Sequence, residues 1–309
     1  MKIAIVGCGI TGAYLGWKLA VAGNDVTIFE KRQIIGKEVC SGLISERIWD
    51  FIPKDENLVQ HKIDSTKMHL PRKTVTLRFR QPLLVMSHAA LDRHVARLAE
   101  KAGAKIVRNK MVVSLPEGFD RVIGADGALS ETRKLLCLKE PSFRQGLQFF
   151  SKEKNTDGFV DTWPVKNGFA WKIPRGEEVE YGILADLKTA RAKFNEFCTK
   201  NGLKFSDLQA ALIPQGLVVS NRKDVALCGD SAGLTKPWSG GGVIWSLTAA
   251  DILLKNFPDF EKYGSELKKF FKPVIRKTKL ITKAGYFLGN HLPWILPGTR
   301  EVDSDWLLP

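Results

Sequence analysis

A doubly wound α/β fold, carrying an inserted antiparallel sheet and a helical carboxy-terminal segment, is predicted for this 309-residue sequence. Three observations carry the prediction. The chain opens as strand, glycine turn, helix and strand. Aromatic and β-branched residues punctuated by turn signals dominate from Leu138 to about Leu217, and lysine-rich helical spacing runs from Phe260 onward.

Taken in order, Lys2 to Val6 (KIAIV) is a short apolar run that ends at Gly7. Ile10 to Ala22 carries apolar residues at helical spacing, and DVTIFE alternates as a strand does. After the mixed stretch LISERIWDFI, KMHLPRKTVTLRFRQPLLVMS reads as two or three strands and AALDRHVARLAEKAG as a helix. AKIVRNKMVVSLP and FDRVIGADG add strands that return the chain to its first domain. The inserted region reads as an antiparallel sheet with a helix near KTARAKFNEFCTKNG. Pro273 should kink or divide the last helix. The expected units are a discontinuous dinucleotide-binding domain (residues 1–62, 85–137 and 218–259), a substrate domain (63–84 and 138–217) and a carboxy-terminal helical segment (260–309).

Bulk composition excludes several classes. Hydrophobic residues make up 44% of the chain, ordinary for a globular protein. Cys8, Cys40, Cys137, Cys198 and Cys228 are odd in number and lack paired spacing, so neither a disulfide framework nor a zinc knuckle is expected. Strand patterning from the second residue leaves no room for a signal segment, and no run reaches the roughly 18 apolar residues of a spanning helix. A cytoplasmic location is the expectation. The net charge of +14 favours anionic partners. His61, His69, His88, His94 and His291 lack ligand spacing, so no metal is expected.

The nucleotide signal is GCGITG, a G-x-G-x-x-G turn at Gly7, Gly9 and Gly12 between a strand and a helix, with Glu30 closing the second strand. Gly7 permits the tight turn, Gly9 lets a diphosphate approach the backbone, and Gly12 lets helix and strand pack. Glu30 can accept ribose hydroxyls and would repel a 2′-phosphate. NAD and FAD both use such a turn. LCGDSAG and SGGGVIWSLTAADILL favour FAD: a strand ending at Gly229 presents Asp230 to ribityl hydroxyls, Pro237 fixes the intervening turn, and amides at Gly241, Gly242 and Val243 open a helix where negative charge on a flavin is stabilised.

A third signal, RVIGADGALSETRKLL, contains Asp126, Gly127, Ser130 and Arg133. Together the three motifs resemble the fingerprints of the flavoprotein group containing the aromatic hydroxylases and geranylgeranyl reductases. GKEVCSGLIS and GFAWKIPRG resemble the geranylgeranyl reductase branch more narrowly, and AALDRHVARLAEKAGA is similar to the group's R-x-x-L-D helix. The resemblance implies a Rossmann-like FAD-binding domain with an α+β substrate domain. It also implies further cofactor contacts at Ala13, Lys31, Cys40, Gly42, His88 and Val112, and substrate contacts at Phe169, Trp171 and Pro174. His88 stands where the family commonly has arginine, Phe169 replaces tyrosine, and Ile173 replaces phenylalanine. The chain is shorter than typical members, which leaves the extent of a lipid tunnel open.

For an isoprenoid alkene, hydride delivery must be accompanied by protonation of the other carbon. Trp171 is the expected aromatic wall for the developing charge, and Cys40 the expected proton source. Cys8, Cys137, Cys198 and Cys228 read as small buried fillers. The expected activity is reduction of carbon–carbon double bonds of an isoprenoid or lipid, with an external electron donor left unspecified. A flavin monooxygenase and a flavin-bearing electron carrier are the alternatives. The lysine-rich end suits an anionic membrane or a solvated packing helix, and no motif accompanies the charge that would indicate nucleic acid.

Overall fold

The computed structural model describes residues 1–36 and 40–305, Asn290 without its side chain. The elements are β1 (Lys2–Val6), α1 (Ile10–Val21), β2 (Asp25–Phe29), β3 (Leu43–Ser45), α2 (Ile48–Phe51), β4 (Val59–Leu70), β5 (Lys73–Met86), α3 (His88–Lys101), β6 (Lys105–Val107), β7 (Arg121–Gly124) and α4 (Glu131–Leu135). They continue as β8 (Ser142–Ser151), β9 (Phe159–Val165), β10 (Gly168–Pro174), β11 (Val179–Asp186), α5 (Ala190–Lys200), β12 (Gln209–Gln215), β13 (Val225–Leu227), α6 (Val243–Asn256), α7 (Phe260–His291) and β14 (Thr299–Val302).

The first domain is built on a five-stranded sheet of order β13-β7-β1-β2-β6, parallel throughout. β1, β7 and β13 are buried on both faces and therefore read as apolar runs, whereas β2 alternates. The strand order reverses at β1, and the crevice beyond the carboxyl ends of β1 and β7 is the topological switch point where such sheets hold ligands. The AKIVRNKMVVSLP stretch forms a strand only over Lys105–Val107. Asn109 lies at φ +53 and breaks it, after which the Lys110 amide donates to the Glu30 carbonyl.

The second sheet has nine strands in the order β12-β8-β11-β10-β9-β4-β5-β14, with β3 on β5. It is mixed rather than wholly antiparallel, because β4 pairs with β9, and β5 with β14, in parallel. Both parallel partners arrive through long excursions of the chain, and a long crossover is what parallel pairing requires. One face packs on α5 through Phe149, Tyr181, Ile183, Phe194 and Phe197. The other buries Ile63, Val85, Val160, Trp171, Ile173 and Leu184, facing the first domain. Alternation along β10 produces this division, with Trp171 and Ile173 on one side and Ala170 on the other.

Two features of the carboxy-terminal segment differ from expectation. Pro273 does not divide α7, which runs unbroken for 32 residues. The proline is exposed, so the helical carbonyl it leaves without a donor can be solvated. Residues 299–302 form β14 instead of helix. Lys73 and Thr76 anchor that return by bonding the Leu296 and Gly298 carbonyls.

Candidate active site

A single cavity of about 980 Å³ runs from the switch point of the first domain to the inner face of the second sheet. At the first end, Gly7 adopts φ +97, and a Cβ there would lie 2.5 Å from the Ala125 carbonyl oxygen. A Cβ on Gly12 would lie 2.0 Å from the Gly7 carbonyl oxygen, so Gly12 serves packing and does not line the cavity. Gly9 differs from both. A Cβ there would meet no heavy atom of the described residues within 4 Å, and its amide side opens into the cavity at the start of α1. Ala13 is fully buried within α1 and does not line the cavity.

Glu30 is buried at the end of β2, where Cys8 N–H donates to its Oε2 at 2.8 Å and Arg32 N–H to its Oε1 at 2.9 Å. These bonds fix the position of the carboxylate on the cavity wall beside Lys31 and Val112. Asp126, at the end of β7, accepts from Ser130 Oγ at 2.6 Å and from Thr132 N at 2.9 Å. Arg133 is fully buried and donates to the carbonyls of Ala128, at 2.7 Å, and Ser231, at 2.9 Å. It thereby ties the Asp-Gly motif to the Gly-Asp motif.

The Gly-Asp motif supplies the middle of the cavity. Gly229 takes φ +72 against Thr11, and Asp230 projects into the cavity. Gly242 lies so close to Asp230 that a Cβ would sit 2.9 Å from its Oδ1. No side chain of the described residues caps α6 at Gly242, and Gly241, Gly242 and Val243 line the cavity, the Gly241 amide donating to Ser239 Oγ at 3.3 Å. Pro237 and Gly42 do not line it. Gly42 instead sits at φ +63, where a Cβ would lie 1.8 Å from the Met86 carbonyl oxygen.

His88 opens α3 opposite this turn, with Nδ1 3.4 Å from Asp92 Oδ2. Burial disfavours its charge, but Asp92, Cys40 and Asp230 outweigh the burial and push its pKa up to about 10. Burial likewise pushes the Asp230 carboxyl up to about 6, with the His88 charge pulling the other way. The departure from arginine at position 88 thus keeps a positive charge.

Cys40 is half-buried on the same wall. Lys37, Glu38 and Val39 of its motif lie outside the described residues. A buried network holds the chain just past Cys40. Arg175 donates to the Ser41 carbonyl at 2.6 Å, to the Met86 carbonyl at 3.0 Å and to Glu180 at 2.9 Å. Glu180 in turn accepts from Trp171 Nε1 at 2.8 Å. Trp171 therefore lies locked over Gly182, with Phe169 5.7 Å away between ring centroids, and both line the cavity. Pro174 is buried at the end of β10 and does not line it.

Beyond Trp171 the cavity broadens into an apolar lobe between Leu70, Phe79, Val160 and Leu184 of the second sheet and the inner face of α7. Sequence reading missed this helical wall, although Thr278, Thr282, Gly285 and Gly289 recur at helical spacing. It also missed Lys236 and the segment after β14. Asp305 is fully buried and bonded by Ser45, Lys236 and Trp245 Nε1, which closes the cavity beside the cofactor turn. Of the expected filler cysteines, Cys8, Cys198 and Cys228 are buried, but Cys137 is exposed at φ +51, where the chain leaves α4.

Residues 5–42, spanning β1 to β2 and the start of the Cys40 motif, match the family model for NAD(P)-binding Rossmann-like domains. The first domain is a Rossmann-like dinucleotide-binding domain. The chain is 25% identical over 313 residues to digeranylgeranylglycerophospholipid reductase 1 of Methanosphaera stadtmanae, covering 85% of this chain and 77% of that protein. It shares its fold with a geranylgeranyl bacteriochlorophyll reductase-like protein from Thermoplasma acidophilum at a TM-score of 0.76 and 19% identity, over 93% of this chain and 87% of that one. The flavin-dependent halogenase BrvH from Brevundimonas sp. BAL3 has the fold too, at a TM-score of 0.74 and 13% identity, over 99% and 80% of the two chains. A fold common to reductases and halogenases does not choose the chemistry, so that choice falls to the cavity.

The cavity's residues fit FAD. Open space beside Gly9 suits a diphosphate, Glu30 suits the adenosine ribose, and Asp230 with the uncapped amides of α6 lies further along the same void. Asp92 Oδ1, buried without a hydrogen-bond partner among the described residues, is one more acceptor in that wall.

Proposed function

We propose that this protein is an FAD-dependent oxidoreductase that reduces carbon–carbon double bonds of an isoprenoid, a geranylgeranyl-type lipid or a shorter relative. One observation carries the reading: the dinucleotide end and an apolar lobe are parts of one cavity, with Trp171 in its lining. Similarity to the digeranylgeranylglycerophospholipid reductase of Methanosphaera supports the same substrate class.

In this reading the α1 amino terminus receives the diphosphate, Glu30 the adenosine ribose and Asp230 the ribityl hydroxyls. The amides at Gly241 to Val243 and the imidazolium of His88 supply positive potential to the same wall. Bound and reduced by an external donor, FAD would supply a hydride to one alkene carbon. Cys40 holds a proton at Sγ for the other carbon. Trp171, fixed by Glu180, turns an aromatic face toward the positive charge that this protonation develops on the hydride-accepting carbon. The lobe beneath α7 excludes water and orients the chain.

Protein loaded with FAD, reduced with dithionite without oxygen and mixed with a geranylgeranyl lipid should yield product heavier by two hydrogens per reduced bond. Product that gains oxygen only in air would replace this reading with a monooxygenase. Flavin reoxidised only by protein acceptors would replace it with an electron carrier.

A further inference from the structure

We propose that the outer face of α7, continued by the short turn after it, is a docking surface for anionic lipid bilayers. Between Glu266 and Glu301 the sequence carries eight Lys or Arg residues and no Asp or Glu. Lys272, Arg276, Lys277 and Lys283 are exposed on the side of α7 turned away from the core. Among them stand Leu280, 70% exposed, and Phe287, 59% exposed, seven residues apart and hence on one helical face. Trp294 and Ile295 follow, at 62% and 56% exposure.

A helix face that only needed solvation would not hold four large apolar side chains in water. A nucleic acid would neutralise the cations and leave those side chains exposed. An anionic bilayer satisfies both sets: the apolar tips enter the acyl boundary while the lysines and arginine stay at the headgroups. Position supports the choice of partner. Thr278, Thr282 and Gly289, on the opposite face of this helix, line the apolar lobe. A bilayer seated outside therefore lies one helix diameter, about 10 Å, from the lobe. Docking rests on the outer face alone, whereas delivery of substrate by docking rests on the function proposed above.

The full chain, as purified, is sedimented with vesicles of phosphatidylcholine alone and of equimolar phosphatidylcholine and phosphatidylglycerol. Wild type should pellet with the anionic vesicles and far less with the neutral ones. K272Q/R276Q/K277Q/K283Q should lower the anionic partition coefficient roughly a thousandfold. L280S/F287S/W294S should bind weakly and be released completely by salt. Flavin retention and a thermal melt check that each variant is folded. Independently of those variants, brominated lipid should quench tryptophan fluorescence in the wild type, and W294F should remove most of the quenching. Wild type left in the supernatant, variants that partition like wild type, or binding to DNA or an acidic protein without binding to vesicles would each overturn the proposal. Vesicle binding without lipid reduction would leave docking intact and count against the enzymatic reading instead.

Discussion

His88 and Asp230 bring opposite charges into one buried wall, and their titrations predict a conflict between stability and binding. A histidine raised to about 10 in the fold, from roughly 6.5 unfolded, contributes stability that is complete below about pH 6.5 and is lost as pH rises through 10. Asp230, raised to about 6 from roughly 3.9, favours its protonated form in the fold, so its contribution is lost as pH rises through 6. At about pH 8 the ionised Asp230 is therefore a cost that the ligand-free fold bears. Asp230→Asn should raise the melting temperature of ligand-free protein by about 2–4 °C and weaken FAD binding at least tenfold, both read by calorimetry. Unchanged FAD affinity would remove Asp230 from the site. Wild-type FAD affinity should hold from about pH 7 to about pH 9 and fall as His88 loses its proton, whereas His88→Arg should abolish that fall. Among the glycines, Gly9→Val should fold normally, since φ −78 and ψ −177 suit any residue, yet exclude FAD. Gly12→Val should fail to fold, its Cβ lying 2.0 Å from a backbone oxygen. Soluble yield and a fluorescence titration separate the two outcomes.

Strand β10 meets its neighbours through the Arg175–Glu180–Trp171 network. Glu180→Ala would leave a buried guanidinium uncompensated and should cost roughly 3–5 kcal/mol, measured as a shift in denaturant midpoint. A shift below about 1 kcal/mol would mean that water replaces the carboxylate. The same elements mark how much was legible in the sequence. The glycine turn, the Asp-Gly motif and the Gly-Asp motif were readable because each meets a local demand, a positive φ or a close backbone approach, within a few residues. Trp171 and Phe169 were readable through their motif. Arg175's reach to Ser41 and Met86 was not, because its partners lie 134 and 89 residues away and only strand pairing brings them together. The parallel additions of β9 and β14 were hidden for the same reason. Nothing in a strand's own pattern names its neighbour.

At the scale of the whole molecule, the cavity lies between two sheets and a helix, so under the proposed function α7 limits substrate length as much as the sheet does. Thr282→Phe should shorten the lobe, leave FAD affinity unchanged, and cut turnover of a twenty-carbon isoprenoid more than that of a ten-carbon one. Equal loss for both lengths would place the substrate elsewhere. The burial of Asp305 against Ser45, 260 residues upstream, and against Lys236 has a consequence for biosynthesis. A ribosome releases Ser45 and Lys236 well before Asp305, so the growing polypeptide lacks these contacts until that aspartate has emerged. Flavin loading should therefore wait for that aspartate, and Asp305→Ala should yield paler protein even where every glycine motif is intact.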